Sequence, residues 1–327
     1  MSRRIVADIT VQKDQVDEAK STMDAYNYEQ PHFCNILYLT DFSPCSDSAL
    51  TWAASVARAN AAKVYALHVV VPDALVFLAP GSPGVVMDMH EEWARGQMER
   101  IESQLAEVEH ETLIERGSDL WKVIESKLQQ FKIDLVLLGT HGRTGLRKML
   151  MGSAAERVLR HSLVPVMTVG PAVHHGRTHD GKFHKLLLAT DFAEGSAETA
   201  NYAISFAERN RSELTLVHVC KTNKRGSRGK TKELSIAEAL YQLQEMVPGR
   251  DANRIRSEAL VECGEPGDRI LDVAKRCGAD LIVMGLHNSH RVFAATHMET
   301  STAHEVLAHS MCPVLTLRPP IQQSQVA

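Results

Sequence analysis

The sequence predicts an α/β protein made of two doubly wound, five-stranded parallel sheets in tandem. Two observations carry that prediction. Short, nearly continuous apolar runs alternate with amphipathic helical stretches, and the whole pattern occurs twice. "CNILYLTDFSPCSDSALTWAASVARANAAKVYALHVV" at 34–70 is answered by "HKLLLATDFAEGSAETANYAISFAERNRSELTLVHVC" at 184–220. "FKIDLVLLGTHGR" (131–143) is answered by "CGADLIVMGLHNS" (277–289), and "RHSLVPVMTVGP" (160–171) by "AHSMCPVLTLRP" (308–319). Asp41 and Asp191 lie 150 positions apart and Pro165 and Pro313 lie 148 apart, so the copies differ only by small insertions and deletions. A fixed-period repeat of this kind marks a tandem duplication.

In the first copy, residues 35–40, 63–70, 111–115, 133–138 and 165–169 read as strands buried on both faces. Helical stretches fall near 44–60, 88–108, 119–130 and 153–161. Ser43-Pro44 is a helix start, with serine as cap and proline at the first helical position. Strands alternating with helices require right-handed crossovers and a parallel sheet. The connection 72–93 reads as a lid or surface loop, and Trp121 and Phe131 as core. "PVMTV" (165–169) and "PVLTL" (313–317) form the last strands, at the sheet edge, where exposed apolar edges invite pairing of one half with the other.

The expected organisation is an N-terminal extension (1–33), a first domain (34–171), a polar, glycine-containing linker (172–183), a second domain (184–319) and a tail (320–327). The chain has 327 residues, 44% hydrophobic and 23% charged, enough for two domains with real cores. A formal net charge of -4 gives no support for binding nucleic acid or an acidic membrane through a global field. No apolar run reaches the ~18 residues needed to cross a bilayer, and no continuous apolar stretch follows Arg3 and Arg4 to make a secretory signal. The six cysteines form no CxxC pair and read as reduced, mostly buried thiols, which points to the cytoplasm. His174, His175, His179 and His184 read as a solvated linker, and the basic run 221–232 as a charged loop.

In a doubly wound sheet, ligands bind beyond the carboxyl ends of the strands where the strand order reverses. Two segments meet there: Thr40-Asp41 after the first strand, and "GTHGRTGLRKMLMGS" (139–153) after the fourth. Glycine removes the Cβ from a guest's path, and the helix beginning near Ser153 presents unpaired N–H groups suited to an anion. Arg143, Arg147 and Lys148 add positive charge. Ser153 and Glu156 also make an S-x-x-E capping box, which accounts for both without a ligand. Neither the P-loop motif nor G-x-G-x-x-G is present, which argues against a P-loop NTPase and a dinucleotide enzyme.

The loop reads G-x2-G-x9-G-S through Gly139, Gly142, Gly152 and Ser153, and it resembles the nucleotide-binding signature of the universal stress protein family. Thr40-Asp41-Phe42, "LHVV" (67–70) and "SLVPVMTV" (162–169) match in order and spacing. The resemblance implies a Rossmann-like fold of the adenine nucleotide alpha hydrolase-like kind. It also implies that Thr40, Asp41 and the backbone around Val69 hold the adenosine of ATP. Gly139, His141, Gly142, Gly152 and Ser153 would wrap the ribose and phosphates, with Mg2+ or Mn2+ on the phosphate oxygens. The expected role is an ATP-binding regulatory module of the stress response, acting on a protein partner not yet named and able to form a homodimer. The alternatives are a slow ATPase or phosphoryl-transfer enzyme and a nucleotide-independent interaction module. No general base aims at the phosphates except His141, so hydrolysis is expected to be weak at most.

The second copy keeps Asp191, Val219 and Gly285 but carries Asn288 in place of Gly142 and Thr300-Ser301 in place of Gly152-Ser153. A threonine side chain would stand where the phosphate approaches. Thr302 and Glu305 form a second S/T-x-x-E pattern. The architecture is therefore expected to survive while the anion cradle is lost.

Overall fold

The structure, a computed structural model, describes residues 31–71, 83–141, 151–173, 181–220, 235–247, 255–286 and 301–318. In chain order the first half runs β1 (Asn35–Leu39), α1 (Pro44–Asn60), β2 (Lys63–Val70), α2 (Pro83–Leu105), β3 (His110–Arg116), α3 (Leu120–Gln130), β4 (Leu135–Gly139), α4 (Ser153–His161) and β5 (Val166–Val169). The second half repeats it as β6 (Lys185–Ala189), α5 (Ser196–Asn210), β7 (Glu213–Cys220), α6 (Ile236–Glu245), β8 (Ser257–Cys263), α7 (Pro266–Cys277), β9 (Leu281–Gly285), α8 (Thr302–His309) and β10 (Val314–Leu317).

The strands join into one ten-stranded sheet in the order β3-β2-β1-β4-β5-β10-β9-β6-β7-β8. Every described neighbouring pair is parallel except β5 and β10, which run antiparallel with Leu315 opposite Met167. The two apolar last strands thus cover each other's edges, as their sequence invites. Side chains alternate across the sheet. Ile36, Tyr38, Leu135 and Leu137 enter one buried cluster, while Leu37, Val136 and Leu138 enter another. Burial on both faces is the reason these strands read as unbroken apolar runs.

Local chemistry sets the helix ends. Ser43 caps α1 by accepting from the Ser46 amide at 3.2 Å, with Pro44 in the first turn. Asp119 caps α3 through the Trp121 amide at 3.0 Å. The connection 72–93 is not a loop throughout: 83–93 belongs to α2, which starts five positions before the expected 88. Ser82-Pro83 repeats the Ser43-Pro44 start signal, and the glycines around it masked the helical pattern. Residues 72–82 lie outside the described residues. Trp121 and Phe131 are half-buried rather than core residues; Phe131 follows α3 and stacks on Tyr65 at 4.3 Å.

The halves also clasp through aromatic side chains. Phe183 lies flat on Trp52 at 5.8 Å, and Phe33 packs on Phe206 at 5.7 Å. Beyond β10, Arg318 is buried and donates from Nη2 to the Leu159 carbonyl at 2.7 Å, near the end of α4. Its counterpart in the first half is Gly170, whose missing Cβ would lie 3.2 Å from the Leu307 carbonyl. The antiparallel pairing therefore aims each half's last residues at the other half's final helix, but only one side fills that space with an arginine.

An aspartate ahead of the fourth strand pins the first strand in each half. Asp134 accepts from the Cys34 amide at 2.7 Å and the Asn35 amide at 3.2 Å; Asp280 does the same for His184 at 2.8 Å and Lys185 at 3.1 Å. Burial outweighs these donors and raises the Asp134 carboxyl to about 6. The folded state thus takes up a proton before the unfolded chain does. This contribution to stability is fully present below the ordinary carboxylate range and is lost as pH rises through about 6. Urea unfolding of wild type and Asp134→Asn should show the wild-type advantage shrinking from pH 4 to 7 by on the order of 2 kcal/mol. Parallel pH profiles for the two proteins would refute the assignment.

Candidate functional site

Strand order reverses between β1 and β4, which leave one another toward opposite edges of the first half. Their carboxyl ends, with that of β2, bring Thr40, Asp41, Val69, Gly139 and His141 to one rim of the sheet. The Thr40 amide donates to the Leu67 carbonyl at 3.0 Å, and the Thr40 carbonyl accepts from His68 Nδ1 at 2.8 Å. Thr40 Oγ1 in turn accepts from the Phe42 amide at 2.9 Å. Asp41 Oδ1 takes the Ser43 amide at 3.0 Å. These bonds hold Phe42 at φ 59, a left-handed conformation that costs a bulky side chain energy. Its ring rests on His68 at 4.4 Å and meets Trp93 edge-on at 5.2 Å.

The second half reproduces this turn. Phe192 also stands at φ 59. Thr190 accepts from His218 Nδ1 at 2.9 Å, and Asp191 Oδ1 accepts from the Ala193 amide at 3.0 Å. Asp41 therefore has a structural duty that the sequence left open: one carboxylate oxygen shapes the turn into α1.

Gly139 closes β4 against α1. A Cβ there would stand 2.8 Å from the Cys45 carbonyl carbon and 2.9 Å from the Ser46 amide nitrogen, both backbone atoms. Its lack of a side chain lets strand and helix N-terminus touch. Beyond it, Thr140 bonds through its amide to the Val169 carbonyl at 3.0 Å, and its own carbonyl accepts from the Gly152 amide at 2.8 Å. The ends of the glycine loop are thus fastened together. Ser43 Oγ donates to the His141 carbonyl at 3.2 Å, and His141 Nδ1 shares a 2.8 Å hydrogen bond with Thr140 Oγ1. Burial holds the His141 imidazole below its usual pKa, and His304 and His309 of the second half push the same way.

The helix that follows begins at Ser153, with Gly152 as its N-cap. The expected Ser153 capping box is absent, because Ser153 is itself helical and the first α-helical bond runs from the Glu156 amide to the Gly152 carbonyl at 2.9 Å. Glycine has no side chain with which to satisfy the first-turn N–H groups. The second half differs here. Ser301, the counterpart of Ser153, is the N-cap of α8, and its hydroxyl accepts from the His304 amide at 3.2 Å. The expected Thr302 box is also one residue out of register. The same serine is therefore a first-turn residue in one half and the cap in the other.

Gly142, Gly145, Arg143, Arg147, Lys148, Asn288 and Thr300 lie outside the described residues. His68 and Thr140 join the rim although the sequence assigned them no role, and Ser43, read there only as the cap of α1, also reaches the rim through the His141 carbonyl. The recurrence of histidine in "LHVV" and "VHVC" was the available signal for His68. Nothing local marked His304 and His309, whose charges bear on His141 only because the halves pair. Among the described residues there is no cluster of three or more histidine, cysteine or acidic side chains able to hold a metal, and no helix long and apolar enough to cross a membrane.

Comparison with known proteins follows the duplication. The model of the universal stress protein family matches residues 32–170 and again 182–318. A universal stress protein of Mycolicibacterium smegmatis is 27% identical over 299 residues, covering 87% of this chain and 97% of its own. The crystal structure of a universal stress protein from Archaeoglobus fulgidus superposes with a TM-score of 0.67 at 22% identity, over 88% of this chain and 98% of that one, a likeness of fold. A further A. fulgidus family member, solved in complex with dAMP, covers 41% of this chain and 98% of its own, with 22% identity and a TM-score of 0.31. With both halves matched almost end to end, the chain belongs to the universal stress protein family.

Proposed function

We propose that the first half binds ATP and that the protein is a nucleotide-responsive regulatory module of the cytoplasmic stress response. The observation that carries this reading is the contrast between the two final helices. Helix α4 starts on glycine, while α8 is capped by its own serine hydroxyl. An anion at the α4 N-terminus would meet N–H groups and the positive end of the helix dipole without a side chain in the way. Gly152 and Ser153, with Gly139, His141 and Gly142 on the loop, would wrap the ribose and phosphates. Thr40, Asp41 and the backbone at Val69 would hold the adenosine. Mg2+ or Mn2+ would neutralise phosphate charge when the nucleotide is bound.

On this reading the half-domains proposed from the sequence, 34–171 and 184–319, would hold one nucleotide site in the first half and none in the second. Mass spectrometry of nucleotide released from the purified full chain tests the proposal. Adenine nucleotide should be recovered at about one per chain, and Gly152→Val should lower retention at least ~10-fold, a loss of more than about 1.4 kcal/mol of binding. Equal retention by the variant, or no nucleotide uptake by wild type from millimolar ATP, would overturn it.

A further inference from the structure

We propose that Cys220 and Cys263 form a peroxide-responsive dithiol that closes to a disulfide. The sequence separates them widely, but the sheet makes them register partners: Cys220 ends β7, Cys263 ends β8, and the two are opposite each other in the parallel ladder. Neighbouring strands lie about 4.8 Å apart and paired residues project from the same face. That spacing falls inside the Cα separation of about 4.4–6.8 Å that a disulfide spans. The remaining approach of the two Cβ atoms is available at this place. β8 is an edge strand of the sheet, Cys263 is its last residue, and Gly264 follows at φ 144. The Gly264 amide donates to the Cys220 carbonyl at 3.1 Å, so the two strand ends are already held together and the approach falls to side-chain rotation and a small adjustment at the sheet edge.

The surroundings fit the chemistry. Cys263 is exposed and Cys220 half-buried, so an oxidant reaches the first and the second resolves it. Helix α7 begins at Pro266, three residues beyond Cys263, with its positive end nearby. The Arg269 side chain lies against Gly264 while pairing with Asp272 at 2.8 Å. Glu262 is neutralised by Arg276; Glu265 is the remaining adjacent acid. The first half has Val70 opposite Arg116 at the matching register, so the dithiol belongs to the second copy alone.

The step balances with a hydroperoxide as oxidant. The Cys263 thiol gives its proton to solvent, the thiolate attacks one peroxide oxygen, the O–O bond breaks, and a solvent proton returns to the leaving oxygen, so that a sulfenic acid and water (or an alcohol) result. Cys220 then attacks the Cys263 sulfur and gives up its proton, and the hydroxyl leaves as water. Two thiols are oxidised to one disulfide, and one hydroperoxide is reduced.

The test treats the reduced full chain with hydrogen peroxide, blocks remaining thiols by alkylation, and digests it for mass spectrometry. A Cys220–Cys263 cross-linked peptide pair, about 2 Da lighter than the reduced pair, is expected. It should revert with dithiothreitol, fall at least ten-fold in Cys220→Ser and in Cys263→Ser, and persist in Cys34→Ser. The proposal is overturned if Cys263 proceeds to sulfinic acid while Cys220 stays alkylatable, or if either thiol pairs mainly with a different cysteine. The wild-type digest decides this even if a variant folds poorly.

Discussion

Gly139→Ala will destabilise the first half by ~3 kcal/mol, the upper part of the range for overpacking. The added methyl would meet the Cys45 carbonyl carbon at 2.8 Å, the Cys45 oxygen at 2.9 Å and the Ser46 nitrogen at 2.9 Å. All three are backbone atoms in the first turn of α1, so no rotamer change relieves the contact. The strand must separate from the helix. That separation also pulls on Ser43, which fastens the turn to the His141 carbonyl, and on Thr40, bonded to Ser46 Oγ at 3.2 Å. The variant should therefore melt ~6–12 °C lower and lose adenine nucleotide retention together. Scanning calorimetry with nucleotide analysis of the purified variant checks both. An unchanged melting temperature would show that the close approach is not needed.

Gly181→Ala should be comparably costly and should act where the two halves join. Gly181 adopts φ 70, and a Cβ on it would stand 1.9 Å from the Ser55 carbonyl oxygen of α1. Left-handed backbone costs an alanine roughly 1 kcal/mol, and the backbone clash adds about 1–3 kcal/mol. Two residues on, Phe183 lies flat on Trp52, so displacing Gly181 would lift one ring from the other. The expected result is a red-shifted tryptophan emission and a loss of about 3 kcal/mol in urea unfolding. Wild-type emission with wild-type stability would contradict the packing argument.

Much of the architecture was legible because buried parallel strands and amphipathic helices carry opposite sequence patterns. The α1 start and the pairing of the last strands both rest on such local chemistry. The errors are local too. The α2 start was hidden by glycine beside its Ser-Pro signal. Both N-caps, Gly152 and Ser301, lie one position before the residue expected, because a helix start depends on where the preceding loop releases the chain as well as on which residue can cap. Trp121 and Phe131 are large and apolar, yet each lies at the end of a surface helix and is only partly covered.

The candidate site divides the same way. Gly139, Gly152 and Ser153 stand out in the sequence as glycines and serine between strand and helix, and Thr40-Asp41 stand out through repetition. That Gly139 serves a backbone contact is visible only once strand and helix are in place, and the structure decides that Asp41 shapes a turn, a reading the sequence left open.

The sequence alone determined the duplication, the strand and helix periodicities, and the divergence of the second copy's loop, because these depend on residue type and spacing along one chain. Tertiary structure decided which residues come to act on one another across the chain: Arg318 bonded to the end of α4, the charges of His304 and His309 on His141, and Cys220 in register with Cys263. Those meetings follow from sheet register and from the antiparallel joining of β5 to β10. Register is a relation between distant segments, set by the packing of both faces at once, and no local pattern encodes it.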